Sequence, residues 1–91
     1  MEAKEYIKDD NYVIEVAGDI NMYTANKLKT AIFNAFLSDK KRLIMNLEKT
    51  EYIDSSGIGI LIVALKKVEK LDGEFYLCNV PEAAMKVLKL T

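Results

Sequence analysis

The sequence predicts an α/β fold, a mixed four-stranded sheet packed by helices in the order ββαβαβα. Three observations carry this. The β-rich runs at residues 4–8 and 12–17 are separated only by the turn cluster Asp9-Asp10-Asn11. So short a connection makes the first two strands an antiparallel hairpin. Farther along, apolar runs at 43–47 and 74–79 alternate with segments whose apolar residues recur at helical spacing, and strand–helix–strand units place their strands parallel.

Each element has a local reason. In the first strand Tyr6, and Ile7 beside it, is expected to point inward. Residues 12–17 are rich in β-branched side chains and alternate in part. Residues 18–23 have no period and read as a loop, with Thr24 as the expected cap of the first helix. Leu28, Ala31, Ile32, Ala35 and Phe36 carry that helix through residue 37. Leu43 to Leu47 suits a strand covered on both faces. The second helix is expected from Ser55 or Ser56 to near Leu71, where Asp72-Gly73 stops it. Glu74 to Asn79 forms the fourth strand. Pro81 fits the first turn of a last helix with Ala84, Val87, Leu88 and Thr91 on one side. With no repeat, low-complexity tract or linker, the 91 residues read as one domain spanning 1–91.

Composition excludes more than it assigns. Apolar residues are 51% and charged residues 30%, as in an ordinary globular protein. Thirteen Lys+Arg against 14 Asp+Glu give a net charge of −1, which offers no general attraction to nucleic acid or to an anionic membrane. The polar N-terminus has no signal-peptide core, and the longest apolar run, Ile60 to Leu65, is far too short to span a bilayer. A cytoplasmic location is expected. The single cysteine, Cys78, forms no internal disulfide and is expected as a buried structural thiol. The absence of histidine removes the Ser-His-Asp and Cys-His systems and the common zinc sites. There is no Walker-type loop and no Gly-x-Gly-x-x-Gly. The chain therefore reads as a non-enzyme that needs neither cofactor nor metal.

The most informative stretch is Tyr52-Ile-Asp-Ser-Ser-Gly-Ile-Gly-Ile-Leu61. It sets Asp54, Ser55 and Ser56 at the start of an apolar helix, where backbone N–H groups are unpaired and the partial charge is positive. A phosphate on a serine there is tolerated by the fold while changing the surface abruptly. The plainer reading makes Ser55, Ser56 or Asp54 an N-terminal cap. At 100° per residue, Ile58, Ile60, Leu61, Ala64, Leu65, Val68 and Leu71 fall on the sheet-facing half. Lys66, Lys67, Glu69 and Lys70 fall on the other half, joined by Gly59, Ile62 and Val63. Exposed aliphatics beside a glycine suit a partner's close approach, and each would contribute about 1–2 kcal/mol if buried. Alternatively, Ile62 and Val63 are covered by this same domain. Gly57 and Gly59 either serve the tight turn into the helix or leave the serine accessible; spacing does not separate these readings.

Asp54-Ser55-Ser56-Gly57-Ile58-Gly59, preceded by Tyr52-Ile53, resembles the signature of the bacterial anti-sigma factor antagonists of the STAS domain family. Gly18-Asp19-Ile20-Asn21 followed by Thr24-Ala25 and Leu28 is similar to the family's loop between its second strand and first helix. Gly73 and Val80-Pro81 also fit, so the resemblance covers nearly the whole chain. It implies partner switching. The unmodified antagonist binds an anti-sigma factor that is also a serine kinase, freeing the sigma factor; phosphorylation blocks that binding and a serine phosphatase restores it. Ser56 matches the acceptor, Asp54 and Ser55 the two residues before it, and Asp19 and Asn21 a nearby loop that contributes partner contacts. With Gly57, Gly59, Ile62, Val63 and Lys66 these make up the expected partner surface. Asn46 departs from the family, which often carries Asp there, and members commonly continue beyond the position of Thr91. STAS domains also occur as small soluble subunits that grip a membrane transporter's ATPase without phosphorylation. A third reading, weak nucleotide binding at the Asp19 loop and the Ser56 helix start, lacks a lysine or a metal-binding cluster in the right place.

Overall fold

The computed structural model describes residues 1–82 and 85. Six elements follow in the order β1 (Glu2–Lys8), β2 (Asn11–Ala17), α1 (Ala25–Leu37), β3 (Arg42–Lys49), α2 (Ser55–Lys70) and β4 (Glu74–Cys78). The four strands form one sheet in the order β1-β2-β3-β4. The pair β1/β2 is antiparallel and the other two pairs are parallel, which is the mixed sheet the sequence predicts. The expected last helix, with Ala84, Val87, Leu88 and Thr91, lies outside the described residues. Where the chain reaches it, the Met85 amide donates to the Pro81 carbonyl at 2.9 Å.

The hairpin turn is closed by Asp9 and Asp10, both with left-handed backbone (φ 50° and 68°). Two such residues twist the strands in the sense a two-residue loop requires, and Asp tolerates this conformation better than most side chains.

Both helices cover the same face of the sheet. Ile14 and Val16 of β2 and Leu43, Met45 and Leu47 of β3 pack with Leu28, Ala31, Ile32 and Ala35 of α1 and with Ile58, Leu61 and Ala64 of α2 in one core cluster. On the opposite face the register aligns Tyr6, Val13, Ile44 and Tyr76 in a row. This layering corrects several expectations. β3 alternates fully buried with half-buried residues instead of being sealed on both faces, because α1 and α2 share one side. Ile7 is exposed. Leu65 and Leu71, expected against the sheet, are exposed too, since the contact stripe of α2 narrows to Ile58, Leu61, Ala64 and Val68. Cys78 is exposed. It pairs in register with Asn46 on the face away from the helices, whereas Phe75 and Leu77 pack on the core.

The edge strand β1 is fastened to β2 by side chains as well as backbone. Tyr12 donates to Glu5 Oε1 at 2.7 Å and Tyr6 donates to Glu15 Oε2 at 2.7 Å. Burial, then the hydrogen bond to Glu5 and its charge, push the Tyr12 phenol up to about 12. The bond to Glu15 raises Tyr6 as well. A phenol raised in the folded state stabilises the fold fully below its ordinary value near 10, and that contribution is lost as pH rises through the folded value. Urea stability is therefore expected to fall between pH 10 and 12, and Tyr12→Phe to flatten that slope. An unchanged slope in the variant would refute the Tyr12 contribution.

Candidate functional site

Parallel pairing does not stop where β2 and β3 end. Their register shifts between Glu15 and Ala17. Beyond it the Gly18 amide donates to the Lys49 carbonyl (2.9 Å), the Ile20 amide to Tyr52 (2.9 Å) and the Asp54 amide back to Ile20 (3.0 Å). Ile20 and Ile53 form a parallel bridge, and both side chains are buried. The loop entering α1 is thus held against the loop entering α2.

The first of these loops is shaped by its own polar side chains. Asn21 Oδ1 accepts from the amides of Tyr23 (2.9 Å) and Thr24 (3.2 Å). Thr24 Oγ1 donates to the Asp19 carbonyl (3.0 Å) and accepts from the Asn21 amide (2.9 Å). Thr24 stands at the cap position of α1 without capping it, a correction: its hydroxyl is taken by the loop behind it. Asn21 is likewise a turn former, while Asp19 is exposed. The turn leaves Met22 and Tyr23 outward, 67% and 86% exposed.

Asp54 is the cap of α2. Its Oδ1 accepts from the Gly57 amide at 3.1 Å, and its Oδ2 accepts from the Met22 amide at 3.2 Å. One carboxylate thus fixes the helix start and ties it to the neighbouring loop. Ser55 and Ser56 follow as the first two helical residues, both exposed. Among the described residues neither hydroxyl makes a hydrogen bond, so neither serine is the cap. The two glycines differ. A Cβ on Gly57 would lie 2.6 Å from Ile20 Cγ2 and 2.7 Å from Ile53 Cγ2, whereas a Cβ on Gly59 would meet nothing within 4 Å among the described residues. Gly57 allows the helix to sit on the Ile20–Ile53 pair; Gly59 leaves bare backbone on the surface.

From Ser56 a groove of about 560 Å³ runs between α1 and α2. Ile32, Phe33 and Phe36 form one wall and Gly59, Ile60, Val63 and Ala64 the other, with Lys29 and Lys67 also lining it. Both helices return from parallel strands and so run the same way. Lys29, in the second turn of α1, therefore lies toward the serines. Lys67 lies at the far end, its ammonium 5.2 Å from the centre of the Phe36 ring.

Of the residues singled out in the sequence, Ser55, Ser56, Gly59 and Val63 share this groove. Asp54 and Gly57 build the helix start beneath it. Ile62 does not join them: it is half-buried and lies with Leu65, Phe75 and Leu77 on the β4 side. Lys66 is exposed but outside the groove lining. Sequence reasoning missed Lys29, Phe33, Met22 and Tyr23 as surface features. The available signals were two large apolar residues in an otherwise polar loop, and a phenylalanine one position off the core stripe of α1. No cluster of three potential metal ligands occurs among the described residues, and no helix among them is long and apolar enough to cross a membrane.

Comparison with known proteins adds four findings. The family model for the STAS domain matches residues 2–91. An anti-sigma-B factor antagonist of Staphylococcus aureus is 26% identical over 84 residues, 92% of this chain and 78% of that protein. Among solved structures, a putative anti-sigma factor antagonist from Thermotoga maritima superimposes with a TM-score of 0.87 at 25% identity, covering 97% of this chain and 76% of that one. The Bacillus protein SpoIIAA, solved in its phosphorylated form, gives a TM-score of 0.81 at 22% identity, covering 98% and 82%.

Two substitutions separate the glycines in denaturant titrations. Gly57→Ala is expected to lower stability by about 1–3 kcal/mol through overpacking against Ile20 and Ile53. Gly59→Ala should raise it by up to about 1 kcal/mol through helix propensity alone. Asp54→Ala removes the cap and is expected to lower stability by about 0.5–2 kcal/mol.

Proposed function

The chain belongs to the STAS domain family, and from that premise we propose that it is an anti-sigma factor antagonist switched by phosphorylation of Ser56. In its unmodified form it binds an anti-sigma factor that is also a serine kinase, and so releases a sigma factor. Phosphorylation by that kinase ends the interaction and a serine phosphatase restores it. Support comes from the Staphylococcus aureus relative, named an anti-sigma-B factor antagonist. It also comes from SpoIIAA, an anti-sigma factor antagonist known in unphosphorylated and phosphorylated forms on this same fold.

The observation that carries the proposal is the state of Ser56: exposed, hydrogen-bonded to nothing among the described residues, in the first turn of α2 and at the head of an apolar groove. A hydroxyl with no structural duty can be modified without unravelling the fold. The phosphate brings about −1.5 to −2 charges, and a helix start offsets part of that within the domain. A partner packed over the same spot has no such relief. It must accept a desolvated dianion or withdraw, and about 3 kcal/mol is already more than a hundredfold in affinity.

Incubation with an anti-sigma kinase and ATP is expected to label the wild-type chain and Ser55→Ala but not Ser56→Ala. Ser56→Asp should bind the kinase about a hundredfold more weakly with an unchanged melting curve. Full labelling of Ser56→Ala would overturn the site.

A further inference from the structure

The groove leading from Ser56 has a chemistry that restricts what can enter it. Phe33 and Val63, on facing walls, are 56% and 65% exposed although both are large and apolar. Other large apolar residues are exposed on this molecule, but here they are gathered on the two walls of one trough, and contiguous apolar surface marks an interaction site. Between the walls the α2 side is low, because Gly59 is bare and Ala64 small. Small residues let another backbone come close. Along α2 the groove runs from Ser55 to Lys67, roughly 18 Å at 1.5 Å per residue, which is more than three turns of a second helix.

Charge selects the kind of helix. Among the described residues the ionisable groups lining the groove are Lys29 and Lys67, and no carboxylate lines it. In a chain of net charge −1 this is a local positive rim around an apolar trough. Lys67 is held at its end by the Phe36 ring. Lys29 has no carboxylate within ion-pair distance among the described residues.

We propose that the groove between α1 and α2 receives an amphipathic helix of the protein partner, seating apolar side chains spaced i, i+3 or i+4, i+7 between Phe33 and Val63, with acidic residues on its flanks opposite Lys29 and Lys67. Helix-in-groove recognition reads that spacing, and complementary charge fixes orientation and register. The inference rests on the antagonist reading only for the partner's identity. It also gives the switch a direction: a phosphate on Ser56 stands at the serine end of the groove and repels an acidic helix entering there.

The test uses the 91-residue 15N-labelled chain and two synthetic helical peptides about 18 residues long, enough for the groove's length. Both carry leucines at the stated spacing; one has glutamates on its flanks and the other lysines. The acidic peptide is expected to shift the amides of Phe33, Phe36, Gly59 and Val63 saturably, and the basic one not to. Lys29→Glu combined with Lys67→Glu should weaken the acidic peptide at least tenfold and gain the basic one. Gly59→Leu, whose side chain has open space to occupy among the described residues, should block the acidic peptide. Equal binding of the two peptides, shifts centred elsewhere, or no shift at all would overturn the proposal. Binding of an anti-sigma kinase separates the two readings. If that kinase binds the wild type and these variants equally, the groove fails and the antagonist reading stands. If no anti-sigma kinase binds the wild type while the acidic peptide still seats, the antagonist reading fails and the groove stands.

Discussion

The pairing of Ile20 with Ile53 is the constraint on which the site depends. Both side chains are buried beyond the ends of the regular strands. Parallel strands commonly let go of one another at their C-terminal ends, and loops then diverge. Here the ladder continues through the amides of Gly18, Ile20 and Asp54, and two crossover loops that could have moved independently are fused. Burying two isoleucines contributes on the order of 3–6 kcal/mol of favourable transfer free energy. Gly57 is required because that pair leaves no room for a side chain above it. Asp54 then completes the joint from the polar side, one oxygen to the first turn of α2 and the other to the loop before α1.

The six residues from Asp54 to Gly59 consequently divide their labour. Asp54, Gly57 and Ile58 face inward or into the backbone and keep the helix start in place. Ser55, Ser56 and Gly59 are turned to solvent and have no role in that joint. Alternation of this kind permits a chemical change at the surface of a helix whose anchoring residues lie one position away. A helix start held by its own serine would have lost its cap on modification; one held by Asp54 does not.

The strands, both described helices and the mixed sheet were legible in the sequence from short β-branched or apolar runs, from helical spacing, and from the tight turn at Asp9-Asp10-Asn11. The Asp-Ser-Ser-Gly stretch was legible as a helix start because Asp and Ser are favoured there, and it stood out through its resemblance to the STAS signature. What escaped depended on neighbours distant in sequence. The Thr24 hydroxyl reads as a cap until the carbonyl of Asp19 and the amide of Asn21 are brought beside it. Cys78 sits in an apolar run, but strand parity turns it away from the helices. A helical wheel divides α2 into halves, whereas the sheet and α1 cover only a stripe, so Leu65 and Leu71 fall outside it and Ile62 turns toward β4. The groove belongs to neither helix alone: Phe33 and Lys29 come from one, Val63 and Lys67 from the other.

The tight turn at Asp9-Asp10 lies at the start of β2, and the Ser56 loops lie beyond its end. Seven residues of extended chain separate them, roughly 23 Å. A tether attached there would hold the molecule by its far end. On a sensor chip or at the tip of a fusion, the serine and the groove would then point away from the support, toward whatever is passed over it.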